Sequence, residues 1–218
     1  MAKRQSALGA WFGTAARPLR VYQFLIVLGE SDPLVWRRIQ VPDSYSFWDL
    51  HVAIQDAMGW LDCHLHEFRL PDATGRRIVS IGIPPDDEGP TDRVREGWRV
   101  PLAAHFDRRS VQVPPALYLY DFGDGWQHVV MHEGTWAADP AGEYPRCLGG
   151  ARRCPPEDCG GSHGYAKLLA ALREPQHPEH DELLEWVGGT FDPDAFDPAR
   201  VSFSDPQRRW KKAFGSRS

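Results

Sequence analysis

The fold is decided by residues 117–128, which read Leu-Tyr-Leu-Tyr-Asp-Phe-Gly-Asp-Gly-Trp-Gln-His. The first six alternate and are rich in aromatic side chains, as expected of a half-buried strand. Aspartates and glycines then cluster at 121–125, and these residue types favour tight turns. A second strand-like run follows the cluster. We therefore predict a central antiparallel hairpin with acidic side chains at its turn and His128 just beyond it.

The segment before this hairpin predicts a strand, a turn, a second strand and a helix. Residues 21–28 are a nearly continuous apolar run of strand length, 31–33 are typical of a turn, and 35–41 form the returning strand. Ser46 is placed to cap a helix that Gly59 ends, with apolar residues at helical spacing between them. Arg37 interrupts the apolar face of the returning strand.

The remaining elements are predicted from weaker patterns. Residues 63–70 predict a third strand with His64, His66 and Phe68 on one face. Residues 71–112 predict a long insertion or an irregular hairpin around Ile78–Ile83. We expect residues 134–162 to form a loop.

Helices follow this loop. Ser162 is expected to cap the first, a second runs from about 179 to 187, and Asp192-Pro193 is expected to cap a short turn.

Strands come first, with one helix among them, and helices are grouped at the C-terminal end. This order predicts an α+β fold with a largely antiparallel mixed sheet rather than alternating βαβ units. The predicted organisation is a flexible basic arm at 1–18, a single domain at 19–204 and a basic tail at 205–218. We expect the basic residues of both ends to be solvated.

The composition limits the classes of function. The 218 residues are 42% hydrophobic and 25% charged, and the formal charge of −5 argues against a protein that binds duplex DNA over its whole surface. No run approaches the roughly 18 apolar residues needed to span a bilayer. We expect a cytoplasmic protein without a membrane partner, in which the four cysteines are reduced.

A cysteine-rich loop at 147–163 is a candidate metal site. Cys147, Cys154 and Cys159 are followed by His163, and thiolates and imidazole are preferred ligands of Zn²⁺. The fourth ligand is His163, or His128 or His64 from elsewhere in the fold. A loop without a core of its own gains most from such a clip. The sequence therefore predicts a structural zinc, with reduced thiols that bind no metal as the alternative.

A second candidate is a polar cluster assembled from three separate stretches. If these converge, they offer carboxylate and imidazole ligands for a hydrolytic metal ion with open positions for water. Turn residues and satisfied strand histidines are the structural alternative. The candidates are His64, His66, Asp121, Asp124, His128, Glu157 and Asp158.

Several motifs, taken in order, resemble the Ri-plasmid ORF-3-like family from about residue 20 to 203. They are PLVWRR at 33–38, AMGW at 57–60, HLHEF at 64–68, YDFGDGWQH at 120–128, PPEDCGG at 155–161 and the segment 191–197. The resemblance implies a single α+β domain carried by plasmids and insertion elements, but it implies no reaction. Cys147 and Cys154 stand where related sequences often have cysteine, whereas many have valine at Cys159.

Members of this family are often labelled resolvases, and the sequence argues against that chemistry. A serine recombinase needs a catalytic serine among N-terminal arginines and a basic helix-turn-helix, whereas the C-terminal helices here are acidic. Our first hypothesis is a binding or accessory module of mobile elements with a protein partner, stabilised by zinc. The alternatives are a metal-dependent hydrolase and a nucleic-acid accessory factor that acts through the basic ends.

Overall fold

A computed structural model describes residues 19–72, 74–85, 94–107 and 113–215. The predicted arm at 1–18 lies outside these residues. The strands are β1 (Arg20–Leu28), β2 (Trp36–Pro42), β3 (His66–Pro71), β4 (Ile78–Gly82), β5 (Val94–Glu96), β6 (Ala116–Tyr120), β7 (Trp126–Ala137) and β8 (Arg146–Ala151). The helices are α1 (Phe47–Met58), α2 (Ala103–Phe106), α3 (Gly161–Arg173), α4 (His180–Trp186) and α5 (Pro206–Phe214).

All of these strands join one mixed sheet in the order β5-β4-β3-β6-β7-β1-β2-β8. The β4–β5 pair is parallel, and the other pairs are antiparallel. The α+β class is therefore confirmed. The predicted central hairpin is β6–β7, whose register runs from Ala116 opposite Val130 to Tyr120 opposite Trp126.

One face of the sheet carries the core. Tyr22, Phe24 and Ile26 of β1 are fully buried, whereas the residues between them are partly exposed, as the two-residue period of a strand requires. Helix α1 covers this face and buries Phe47 against Phe68 of β3, with ring centroids 5.2 Å apart. The apolar stripe predicted for this helix thus faces the sheet.

The predicted ends of α1 are confirmed. The Ser46 hydroxyl accepts the backbone N–H of Asp49, and the Asp49 carboxylate accepts the backbone N–H of Ser46, so the two residues form a capping box. Gly59 ends the helix at φ +88° and donates its N–H to Gln55 O. Such a left-handed backbone favours glycine.

Two features of the central region differ from expectation. Strand β3 begins at His66, so His64 lies in the loop before it rather than on the strand. The segment predicted as a loop contains β8, which pairs with β2. Two of the six residues of β8 are glycines, which hide the strand pattern in the sequence. Packing requires the glycine at 150, because a Cβ there would lie 2.4 Å from the Phe196 ring.

The C-terminal caps also differ from expectation. Ser162 lies inside α3, whose N-cap is Gly160, and its hydroxyl donates to Glu30. An aspartate-proline cap is found at Asp197, which precedes the short 3-10 helix Pro198–Arg200. Its side chain accepts the N–H of Ala199. Asp192 instead accepts the N–H of Asp194 two residues on.

The segment predicted as a basic tail contains helix α5, which packs on α1. Its N-cap Asp205 accepts two backbone N–H groups, and the Trp48 indole donates to Pro206 O. Two basic residues that we expected to be solvated are paired: Arg209 with Asp56, and Arg20 of β1 with Asp43. No helix within the described ranges is long and apolar enough to cross a bilayer.

Candidate metal centre

The turn between β6 and β7 fixes the first carboxylate of the site. Asp121 adopts a left-handed φ of +53°, which aspartate tolerates better than most residues. Its Oδ1 accepts the N–H groups of Gly123 at 2.9 Å and Asp124 at 3.3 Å. Its backbone N–H donates to Leu65 O. These bonds leave Oδ2 to face the ring of His64 at 3.5 Å.

His64 lies in the loop that leads into β3, with its ring edge-on to Tyr120. Its Nε2 atom lies 2.9 Å from Asp158 Oδ1, 3.5 Å from Asp121 Oδ2 and 4.0 Å from Glu157 Oε2. Nε2 is shielded from solvent and makes no hydrogen bond. The contact with Asp158 is therefore short in distance but does not have the angles of a hydrogen bond. We call His64, Asp121, Glu157 and Asp158 the His64 cluster.

Glu157 is positioned by the segment after α1 and by the end of β6. Its Oε1 accepts the backbone N–H of Leu61 at 2.7 Å and the hydroxyl of Tyr120 at 3.0 Å. The same hydroxyl accepts the N–H of Cys63. Burial and the Glu157 carboxylate raise the pKa of Tyr120 well above its usual value, so this phenol remains a donor to Glu157. Oε2 of Glu157 lies 3.3 Å from the same hydroxyl and 4.0 Å from His64 Nε2.

Two groups of residues that share His64 have ligand atoms close enough together that they could hold a metal ion. The ligand atoms of His64, Asp121 and Asp158 lie within 4.8 Å of one another, as do those of Cys63, His64 and Glu157. Two ligands of a Zn²⁺ ion, each about 2.1 Å away, are roughly 3.4 Å apart in a tetrahedral arrangement. The separation of 3.5 Å between His64 and Asp121 matches this value without rearrangement.

The charge of the cluster is unbalanced. Within the described residues, the three carboxylates of the cluster pair with one basic side chain, that of His64, and with no lysine or arginine. Burial and Glu157 raise the pKa of the nearby Cys63 thiol, which favours the protonated form over a thiolate ligand. A divalent cation would neutralise most of this negative charge.

Three of the predicted polar residues lie elsewhere. Asp124 accepts the N–H of Gly160 and thereby holds the loop that precedes α3. His66 is buried and stacks on His51 with centroids 3.5 Å apart. Burial lowers the pKa of His66 well below its usual value and that of His128 to about 3, so both rings are neutral core residues.

The structure does not gather the four predicted zinc ligands of the cysteine loop. Among the described residues, no three of them have ligand atoms within 4.8 Å of one another. Cys147 donates to Gly149 O, Cys159 lies near Gly161 O, and His163 is exposed on α3. Cys154 is in the core, where burial raises the pKa of its thiol. These thiols lie in protein surroundings rather than around a common point.

A cleft of about 1150 Å³ opens beside the His64 cluster. Glu157 and Asp158 lie on its wall, and the polypeptide from α4 to residue 202 forms the opposite side. Its aromatic lining includes Trp60, Trp186 and Phe196. Sequence reasoning missed Tyr120 and Leu61 as supports of the cluster and missed these cleft aromatics. The available signal was the density of aromatic residues in 186–196, which we did not connect to the cluster.

The comparisons with known proteins identify the family of this chain. The sequence profile of the plasmid pRiA4b ORF-3-like proteins matches residues 20–200. The chain belongs to the plasmid pRiA4b ORF-3-like family. All four residues of the His64 cluster lie inside the matched region, whereas α5 lies beyond it.

Two further proteins are similar to this chain. The protein y4hQ of Sinorhizobium fredii (strain NBRC 101917 / NGR234), named as uncharacterized, is 38% identical over 186 residues, which cover 84% of this chain and 87% of that protein. A protein of unknown function, MM3350 of Methanosarcina mazei Go1, has a crystal structure of matching fold. The TM-score is 0.77 at 38% identity, with 86% of this chain and 100% of the other covered. The resemblance seen in the sequence is thus confirmed for fold and family.

Proposed function

We propose that this plasmid pRiA4b ORF-3-like protein binds a divalent metal ion at the His64 cluster. The observation that carries the proposal is the solvent-shielded His64 Nε2, which makes no hydrogen bond although three carboxylates lie within 4.0 Å. A metal ion on the lone pair of this nitrogen gives it a partner, and the carboxylates of Asp121 and Asp158 lie close enough to share the ion. The mixture of imidazole and carboxylates suits Zn²⁺ or Mn²⁺.

Titration of chelator-treated protein with Zn²⁺ and Mn²⁺, followed calorimetrically, tests the proposal. We expect about one ion per chain, and a loss of affinity of at least tenfold on His64→Gln or Asp121→Asn. Asp124→Asn is the matched control, because Asp124 lies in the same turn but bonds Gly160. The site would be rejected if the parent protein binds no ion, or if both cluster variants bind the ion as tightly as the parent does.

The titration also separates this site from the zinc predicted for the cysteine loop. A Cys159→Ser variant removes a predicted thiolate ligand without touching the His64 cluster. We expect it to bind the ion as the parent does. Loss of the ion in this variant, with retention in His64→Gln, would return the assignment to residues 147–163.

The cleft favours metal-dependent hydrolysis as a second candidate function. A metal ion at the cluster would lower the pKa of a bound water molecule toward neutrality. The water oxygen would form a bond to a carbonyl or phosphoryl centre lying in the cleft, and the bond to the leaving group would break. Glu157, which lies on the cleft wall, is placed to take the water proton and return it to the leaving group.

Turnover of chromogenic carboxylate and phosphate esters by the metal-loaded protein tests this candidate. We expect activity that requires the metal and falls by at least roughly tenfold on Glu157→Gln. Metal binding without any turnover above the metal-free protein would leave the binding proposal in place and remove hydrolysis.

A further inference from the structure

A second cavity lies between α5, the N-terminal end of α1 and the 3-10 turn Gly97–Arg99, away from the His64 cluster. Its volume is about 500 Å³, within the roughly 300–1,000 Å³ of small-molecule sites. Its lining combines indole rings, cationic side chains and a hydroxyl group. We call it the tryptophan cavity; the lining residues used below are Trp48, Trp98, Trp210, Arg99, Lys211 and Ser44.

Phe214 of α5 holds the three indoles around this cavity. Its ring centroid lies 5.6 Å from Trp48, 5.1 Å from Trp98 and 5.6 Å from Trp210. Trp98 and Trp210 are also edge-to-face with each other, and both remain partly exposed. The aromatic walls are therefore supported by packing behind them, which keeps ring surface available to a ligand without a large ordering cost.

The charged groups at this cavity favour an anion. Lys211 is exposed, and within the described residues it makes no ion pair. Arg99 is exposed and pairs through Nε with Glu96. Oδ2 of the acidic wall residue, Asp49, accepts two hydrogen bonds from Ser46. Exposed Arg208 and Lys212 extend the basic surface of α5.

We propose that the tryptophan cavity binds a planar aromatic ring that carries an anionic group, the chemistry of a nucleotide. The ring stacks on Trp98 or Trp210, since every base offers a π-face to an indole. Lys211 and Arg99 contact the phosphate, and the exposed Ser44 hydroxyl donates to it. This site is independent of the metal proposed at the His64 cluster. A free nucleotide and an unpaired base of a single strand share this chemistry.

Calorimetric titration of the full chain with adenosine monophosphate and with a single-stranded oligothymidylate tests the proposal. Adenosine and inorganic phosphate each supply one half of the recognition, so we expect both to bind at least roughly tenfold more weakly than the nucleotide. Lys211→Gln and Trp98→Leu should each weaken nucleotide binding by a similar factor. The matched control is Lys167→Gln, because Lys167 is an exposed lysine on α3 outside the cavity.

Thermal melting verifies that each variant is folded, and Lys211→Gln serves as the exposed substitution if Trp98→Leu destabilises α5. Binding of the mononucleotide alone identifies a free nucleotide as the ligand, and binding of the strand alone identifies an unpaired base. Absence of binding by both up to about 1 mM overturns the proposal. So does a duplex that binds better than the single strand, or nucleotide binding that Lys211→Gln leaves unchanged.

Discussion

Arg37 of β2 lies over the ring of Phe196, with its guanidinium carbon 3.8 Å from the ring centroid. The side chain is 1% exposed, yet its hydrogen-bond partners are backbone carbonyls rather than a carboxylate. The carbonyls belong to Trp36, Ala57, Ala151 and Arg152. One guanidinium therefore ties the end of α1 to the end of β8 and seats the segment that forms the far wall of the cleft.

Replacement of Arg37 should be strongly destabilising. Arg37→Met leaves several buried carbonyls without donors, and we expect the free energy of unfolding to fall by about 3 kcal/mol or more. Arg37→Lys should cost nearly as much, because an ammonium group cannot reach the same set of carbonyls. Urea denaturation measures both.

Arg38→Ala is the control for these variants. Arg38 is the next residue of the same strand and forms a surface ion pair with Glu133, so its loss should cost about 1 kcal/mol or less. If Arg37→Met and Arg38→Ala lower the free energy of unfolding by similar amounts, the role assigned to Arg37 is contradicted.

Acid should destabilise the protein through His128. Burial lowers the pKa of His128 to about 3, whereas an unfolded histidine has a pKa of about 6.5. Its neutral ring therefore contributes stability above about pH 6.5, and this contribution is lost as the pH falls from about 6.5 toward 3, at roughly 1.4 kcal/mol per pH unit. Urea denaturation between about pH 7 and 5 should show a slope that His128→Leu reduces by about this amount.

Substitution of the exposed His163 by glutamine serves as the control for that slope. The dependence of stability on pH should be the same in this variant as in the parent. An unchanged slope in His128→Leu would mean that other groups cause the acid destabilisation.

The contact between α5 and α1 should contribute measurably to stability. Arg209 pairs with Asp56 and Asp62, whose side chains are 8% and 12% exposed. Arg209→Ala should lower the free energy of unfolding by about 1–3 kcal/mol, since it removes the arginine partner of two nearly buried carboxylates, of which Asp62 keeps its contact with His51. Lys212→Ala on the same helix is exposed and should stay within about 0.5 kcal/mol of the parent. Equal effects of the two substitutions on thermal melting would show that α5 is not anchored by Arg209.

Gly161 should tolerate no side chain. Its φ is +67°, and a Cβ would lie 2.4 Å from the backbone oxygen of Asp124. Gly161→Ala should therefore cost about 1–3 kcal/mol and should also weaken metal binding at the His64 cluster by displacing the 157–160 loop. Gly149→Ala is the matched control, because a Cβ there meets the ring of Trp36 at an ordinary 3.7 Å. If Gly161→Ala binds the metal as tightly as the parent does, the 157–160 loop does not position the metal site.

Local patterns in the sequence predicted the first half of the fold well. The β1 strand, the capping box of α1 and the β6–β7 hairpin are each specified by nearby residues, whose alternation, caps and turns act within a few positions. Strand β8 could not be recognised in this way, because its Gly150 is required by a contact with Phe196, more than forty residues away. The helix α5 was read as a tail because its charged face masks the Trp210 and Phe214 contacts.

The candidate site was predicted in part for the same reason. The hypothesis of a polar cluster required the histidine, turn and loop stretches to converge, and the structure brings His64 within 4.0 Å of Asp121, Glu157 and Asp158. The period of β3 places His66 on the same side as Phe68, which is the core side. The pattern does not show that the strand begins after His64, and this boundary separates a core ring from one that faces the carboxylates.

The Asp121 turn and the His64 loop are brought together by β6 and β3, which are neighbours in the sheet but distant along the chain. The Glu157–Asp158 segment follows the edge strand β8 and joins them through hydrogen bonds from Leu61 and Tyr120 to Glu157. A fragment that contains one of these stretches therefore lacks the proposed centre. An ion held there would bind the native chain and not the unfolded one, so its concentration would shift the folding equilibrium by mass action. The concentration of the metal ion around the protein would then affect the lifetime of the folded chain.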